Sequence, residues 1–204
     1  MARVASAAAL LALHYQNENC HPDGKIKIGI AAGAEEWRAA TLANAGRLLR
    51  GARAAGAPVI HVRLAVNPDY RDVIPNTPLF RQWIELGAWA EGSWGAAFYA
   101  GLEPTAEEPV VTHIRNNPFH ASSLELILHA LQPRTLVVAG VSTTYVVEST
   151  VRHATDLGYA VTVAHDACSS GSREAHEASL KALRWLAEVQ SVDDVLARFD
   201  AMQF

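Results

Sequence analysis

The chain has 204 residues, half of them hydrophobic and 19% charged, which supplies one sizeable core and excludes intrinsic disorder. Its 17 Lys and Arg against 21 Asp and Glu leave a net charge of −4 with no basic block, which excludes a general binder of nucleic acid or of anionic membranes. Two cysteines, Cys20 and Cys168, cannot build a disulfide framework or a four-cysteine zinc site, and a reducing cytoplasm is the expected location.

Residues 1–13 are apolar but run straight into the polar segment 14–19, short of the roughly 20 apolar residues that a membrane span needs. Within them, residues 7–13 form a continuous apolar run that stops at His14 and predicts a buried strand. Residues 35–55 place Trp37, Leu42, Ala45, Leu48, Leu49 and Ala52 at helical spacing and end in Ala-Gly-Ala-Pro, a helix stop. Four further apolar runs predict strands at 58–63 (PVIHVR), 109–114 (PVVTHI), 135–140 (TLVVAG) and 160–165 (AVTVAH). Helices are predicted over 122–131, 144–157 and 173–188, the last with Ala175, Ala178, Ala182, Leu183 and Leu186 on one face. Strands alternating with helices mean βαβ units and a parallel sheet covered on both faces, with right-handed crossovers. Residues 1–204 are read as one domain.

Residues 64–108 fit this alternation poorly. They carry Pro68, Pro75, Pro78 and Pro104 together with Trp83, Trp89 and Trp94, and a connection of that length is expected to be a lid or a subunit contact. The chain has no GxGxxG, P-loop or GxSxG motif. Open parallel sheets bind ligands at the carboxyl ends of their strands, so the residues to inspect are His14, Arg63, His113, the turn 140–146, His165 and Asp166.

Five stretches together resemble the isochorismatase-like hydrolase superfamily, which includes nicotinamidases, ureidoacrylate amidohydrolases and isochorismatases. They are 10–24 (LLALHYQNENCHPDG), 92–104 with Ser-Trp-Gly and Gly-Leu-x-Pro, 110–124 (VVTHIRNNPFHASSL), 136–154 (LVVAGVSTTYVVESTVRHA), and 156–180 with LGYAVTVAHDACSS and HEASL. They follow in the family's order over nearly the whole chain. The resemblance implies a three-layer α/β/α sandwich whose mostly parallel six-stranded sheet has strand order 3-2-1-4-5-6, and a homo-oligomer.

The family's usual chemistry is a cysteine nucleophile at a helix start, with an Asp as base and a Lys nearby, so that helix terminus and lysine favour the thiolate. Carried over position by position, the Asp becomes His14, the Lys becomes His113 and the cysteine becomes Val146. Valine has neither nucleophile nor exchangeable proton, so a thioester at this position is excluded. Cys20 and Cys168 fall where the family has cysteines of no catalytic role, and are read as small buried or loop residues. Both vacated polar positions hold histidine, the residue best suited to proton transfer near neutral pH. His14 and His113 are therefore the expected catalytic pair, one protonating the substrate and the other activating water. Close imidazoles depress each other's protonation, giving a mixed state near neutrality.

The resemblance also marks Trp94, Asn117, Phe119, Ser142, Thr143, Tyr145 and Val146 as substrate-binding. Val141–Ser142 is the peptide it implies to be cis, in a turn that forms an oxyanion hole, and Thr143 or Thr144 is expected to cap the helix that follows. His61 is read as a core histidine, and His120 as a residue that could reach the pocket. Metal-binding members use ligands just after their second strand, where residues 63–66 here (Arg-Leu-Ala-Val) have none. A new metal site from His14 and His113, completed by Glu18 or a water, is the lesser reading, and no metal or cofactor is expected.

The expected function is non-covalent hydrolysis of a vinyl ether, amide or related bond in a small organic substrate. The alternative is a catalytically inactive protein that keeps the fold for binding a small molecule or for assembly. The assembly version predicts a closed pocket filled by Tyr145, Phe119 and Trp side chains.

Overall fold

Ala8–Leu13 (β1) is wholly buried, which its uninterrupted run of Ala and Leu allows only in the middle of a covered sheet. The computed structural model describes residues 8–27 and 33–200, so position 7 of the predicted first strand lies outside the described residues. β1 pairs in parallel with Val59–Leu64 (β2) on one side and with Thr135–Gly140 (β4) on the other. Val110–His113 (β3), Ala160–Ala164 (β5) and Glu188–Gln190 (β6) extend the sheet to the order β3-β2-β1-β4-β5-β6, every pairing parallel. The helices are Asn17–Cys20 (α1), Glu35–Ala54 (α2), Pro78–Leu86 (α3), Leu124–Leu131 (α4), Glu148–Asp156 (α5), Arg173–Leu183 (α6) and Val192–Asp200 (α7). α2 packs with α7 and against β1 and β2, while α5 and α6 pack together over β4, β5 and β6, giving the three α/β/α layers. The core between them is built from side chains such as Leu11, Leu48, Ile60, Leu136, Val138 and Leu180, each fully buried leucine or valine stabilising the fold by about 1.5–3 kcal/mol.

Three expectations need correction. The helix predicted over 173–188 stops at Leu183. The N–H groups of Leu186 and Ala187 both return to the Leu183 carbonyl, Trp185 projects into solvent at 90% exposure, and Leu186 lies outside the helix. The strand β6 that follows is only Glu-Val-Gln, too short and too polar to stand out as a strand. The helix predicted from residue 144 begins instead as a π-helical turn, Thr143–Val147, before α5 takes over. Residues 64–108 are not a bare connection. They contain α3, capped by Thr77, whose Oγ1 accepts from Phe80 N at 3.3 Å, started by Pro78, and ended by Gly87 in the left-handed conformation. Phe80, Trp83 and Trp89 join Ile26, Leu64, Val66 and Val73 in a second, separate core. Among the described residues no helix is long and apolar enough to cross a membrane.

The strand order reverses between β1 and β4, the point where an open parallel sheet leaves a crevice at its carboxyl edge. The two strands approach closely there: a Cβ on Gly140 would lie 2.4 Å from the Leu13 carbonyl oxygen, so that position must lack a side chain.

Candidate functional site

The chain leaves β1 through His14, whose φ of 55° puts a non-glycine residue in the left-handed region, where a side chain is strained. The Cα path is held on both sides of it, by His14 N donating to Val62 O at 2.9 Å and Gln16 N donating to His14 O at 2.8 Å. His113 ends β3, two strands away, in register with Leu64 of β2. The two side chains meet across that strand. Their Nε2 atoms are 2.6 Å apart and the rings stack with centroids 4.8 Å apart. One Nε2 carries the proton and donates, the other accepts.

Both rings are buried, and burial disfavours their charged forms. The His14 imidazole is held well below its ordinary range by burial and by the charge of His113. Burial pulls His113 down to about 4, against the backbone of Asn117, which favours its charged form. The pair is therefore neutral at neutral pH, and the mixed protonation state moves into the acid range.

A cavity of about 30 Å³ opens beside His14, room for roughly two water molecules. Of the residues expected to bind substrate, Ser142, Tyr145 and Val146 line it; Asn19, Trp83, Trp89 and Asn116 join them. The other expected residues are elsewhere. Trp94 is 53% exposed and packs edge-on against His21. Asn117 bonds His153 Nδ1 at 3.1 Å and accepts from Phe119 N, while Phe119 stacks on the His153 ring. Thr143 is buried against His176 Nδ1, 2.8 Å from its Oγ1. His120 is exposed on the surface.

The turn after β4 is braced from several sides. The Val141–Ser142 peptide is cis, and Asn19 Nδ2 donates to Val141 O at 3.0 Å. Neither Thr143 nor Thr144 caps the following helix. Thr143 N donates to Ser169 O, Thr144 N to Ser170 Oγ, and Tyr145 N to Ser142 O. Those N–H groups are thus spent within the protein. Val146 is fully buried on this turn, and neither thiol lines the cavity. Burial pushes the Cys20 thiol far up and the Cys168 thiol up to about 12, so neither is a thiolate.

Sequence reasoning missed the part played by the segment after β1. Gln16 donates to Leu64 O and Ala96 O and accepts from Leu64 N, tying the sheet to residues of the long connection. Glu18 accepts from Lys25 N and Trp89 N, which seats Trp89 over the His pair, ring centroids 6.5 Å from His14. Glu18 is thus committed to backbone donors. Among the described residues no group of three or more His, Cys, Asp or Glu is placed to hold a metal ion. His61, as expected, is a core residue, its Nε2 3.0 Å from Glu108 Oε2.

Residues 8–194 match the isochorismatase domain family. Isochorismatase family protein YecD of Escherichia coli O157:H7 is 32% identical over 158 residues, which cover 75% of this chain and 80% of that protein. Ureidoacrylate amidohydrolase RutB of Pseudomonas syringae pv. syringae (strain B728a) is 31% identical over 172 residues, 78% of this chain and 70% of that one. The crystal structure of an isochorismatase family protein from Desulfovibrio vulgaris subsp. vulgaris str. Hildenborough superposes with a TM-score of 0.82 at 29% identity, covering 95% of this chain and 100% of the other. A cysteine hydrolase from Pseudomonas syringae pv. phaseolicola 1448A reaches a TM-score of 0.86 at 21% identity over 97% and 94% of the two chains, a likeness of fold alone. With the strand order, the crevice between β1 and β4 and a domain match that spans nearly all the described residues, the chain belongs to the isochorismatase family.

Proposed function

We propose that the cavity beside His14 is the active site of a small-molecule hydrolase that works without a covalent thioester. The observation that carries this reading is the 2.6 Å contact between two buried imidazoles at the carboxyl edge of the sheet, beside a cavity that no thiol lines. A neutral pair is a proton acceptor, so the geometry favours general-base attack by water on an amide or related carbonyl over acid-catalysed opening of a vinyl ether. Water adds to the carbonyl carbon, and His14 takes its proton on the nitrogen that His113 does not engage. His113 Nε2 accepts the His14 Nε2–H and so supports the imidazolium while it exists. The proton then passes to the departing nitrogen as the carbon–nitrogen bond breaks. Val146 occupies the position of the usual nucleophile and only closes the wall.

The test is turnover of a panel containing isochorismate, nicotinamide, ureidoacrylate, maleamate and simple carbamoyl compounds, by the wild type and by Cys20→Ala and Cys168→Ala, with and without chelator. The expected result is hydrolysis of one of these amides that survives the removal of either thiol and falls about 100-fold or more in His14→Ala and His113→Ala, the scale of a general base. Turnover that persists in both variants would refute the pair's role, and chelator sensitivity would replace it with a metal mechanism. The second reading, a binding protein without turnover, is favoured by the size of the cavity, which is far below the several hundred Å³ of an ordinary substrate pocket. It predicts saturable ligand binding with no product on any member of the panel. That the chain assembles with copies of itself belongs to the same proposal and is checked by light scattering.

A further inference from the structure

The wall of the cavity beside His14 carries no formal charge. Among the described residues that line it there is no Lys, Arg, Asp or Glu. Its polar side chains are His14, Asn19, Asn116, Ser142 and Tyr145, and the rest is aliphatic or indole. The charged residues adjoining these in sequence are engaged elsewhere. Glu18, beside Asn19, accepts from Lys25 N and Trp89 N. Arg115, beside Asn116, lies over the Phe80 ring, 3.9 Å from its centroid, and donates to Ile74 O and Asn76 Oδ1.

The wall also differs in what its polar groups have left to offer. Asn19 Nδ2 is spent on Val141 O, and Asn117, next to Asn116, on His153 and Phe119 N. The Asn116 amide and the Tyr145 hydroxyl have no hydrogen-bond partner among the described residues. Each both donates and accepts, which matches the N–H and C=O of a carboxamide. A carboxylate only accepts, so it leaves the Asn116 carbonyl unpaired. It also has to leave water without a counter-charge, which is costly. The site imposes that cost on its own residues, since burial holds both imidazoles neutral. The N–H groups of Thr143, Thr144 and Tyr145, spent within the protein, do not offset it. Room for about two water molecules takes the oxygen and nitrogen of one carboxamide, and Tyr145, 38% exposed, leaves the wall open to solvent.

We infer that this cavity selects an uncharged carboxamide over a carboxylate of the same size, with Asn116 as the residue that sets the preference. This deepens the proposed hydrolysis and rests on it for the choice of cavity. Within the panel it favours nicotinamide and the uncharged carbamoyl compounds over isochorismate, ureidoacrylate and maleamate, which all carry carboxylates. It also bears on product release. Water adds, the carbon–nitrogen bond breaks, and the products at neutral pH are a carboxylate and ammonium. The product is therefore the form that the cavity holds weakly.

The test uses the full chain labelled with nitrogen-15, whose spectrum shows one indole signal for each of its five tryptophans. Trp83 and Trp89 line the cavity, so their signals, assigned with Trp83→Phe and Trp89→Phe, report its occupancy. Acetamide and acetate, equal in size and differing by one charge, are titrated near neutral pH at constant ionic strength. Acetamide is expected to move both signals to a saturable limit, with acetate binding about tenfold more weakly or less. Asn116→Lys, which puts a cation on the wall, should shift the acetate-to-acetamide ratio at least about tenfold towards acetate. That ratio is read within one protein, so a change in overall stability does not enter it. Should Asn116→Lys fail to fold, Asn116→Ala is expected to weaken acetamide more than acetate. Acetate binding as tightly as acetamide, no saturable shift with acetamide, or a ratio that no Asn116 variant changes would each overturn the inference. Failure of the hydrolysis reads differently: acetamide binds selectively, and no member of the panel is turned over. Turnover that prefers the carboxylate-bearing amides would keep the hydrolysis and overturn the selectivity.

Discussion

Acid should destabilise this protein through His113, by an amount that the structure sets. The imidazole has a pKa of about 4 in the fold, against an ordinary 6.5 in the unfolded chain. Between those values the unfolded chain holds a proton that the folded one does not, so stability falls as pH falls. The penalty is absent above neutrality, begins near 6.5 and is complete below about 4, where it reaches roughly 3 kcal/mol. Worked through the linkage relation, moving from pH ~8 to pH ~5 costs about 2 kcal/mol from this one group. His14 acts in the same direction, since burial and its partner's charge also depress it. His113→Gln keeps a polar side chain but does not titrate, and it also relieves His14 of that charge. Urea unfolding followed by tryptophan fluorescence, for wild type and variant at several pH values and fixed ionic strength, isolates the difference. Whatever the variant's absolute stability, its loss between the two pH values should be smaller than the wild type's by about 2 kcal/mol. Parallel losses in the two proteins would show that the pair is solvated or already protonated in the fold, and the neutral-base mechanism would go with it.

Three further outcomes follow from other parts of the fold. Gly140→Ala would press a methyl group against Leu13 O, 2.4 Å away on the rigid backbone of the central strand, and should lower stability by about 2 kcal/mol or more in the same urea assay. Glu108 takes hydrogen bonds from Arg53, His61 and Thr105 N. Burial opposes its charge, yet the bonds from Arg53 and Thr105 together with the charges of His61 and Arg53 pull its carboxyl down to about 2. Glu108→Ala, which strands His61 and Arg53, should therefore cost about 2 kcal/mol at neutral pH, and an unchanged urea midpoint would deny the cluster any structural weight. Both thiols are buried and protonated, so Ellman's reagent should label neither in the native protein and both after denaturation; rapid native labelling would contradict the burial of Cys20 and Cys168.

Much of the architecture was legible before any coordinates. The continuous apolar runs at 135–140 and 160–165 marked buried parallel strands because a strand covered on both faces has no polar side to show. β6 escaped notice because three mixed residues at a sheet edge carry no periodic signal. α3 escaped because four prolines suggested irregular chain, although Thr77 and Pro78 at its start and Gly87 at its end are ordinary helix boundary signals.

For the site, the family-like stretches pointed to His14, His113, Ser142, Tyr145 and Val146, and strand ends alone would have suggested the first two. Trp94 and Phe119 were sought in the pocket because they sit in those stretches, but position along a segment does not say which way a side chain turns. Trp83 and Trp89 took the pocket walls because they belong to the second core, which the Glu18 carboxylate fastens over the end of β1 through Trp89 N.

The sequence by itself determined the fold class and the residue types available at the strand ends, because burial and periodicity are written locally, residue against near neighbour. It did not determine that two imidazoles 99 residues apart share one hydrogen bond. That was decided by the parallel register that carries β1 past β2 to β3, and by the left-handed turn at His14, which brings its ring to His113. Burial then sets their charge, and burial is a property of everything packed around a group rather than of the group itself.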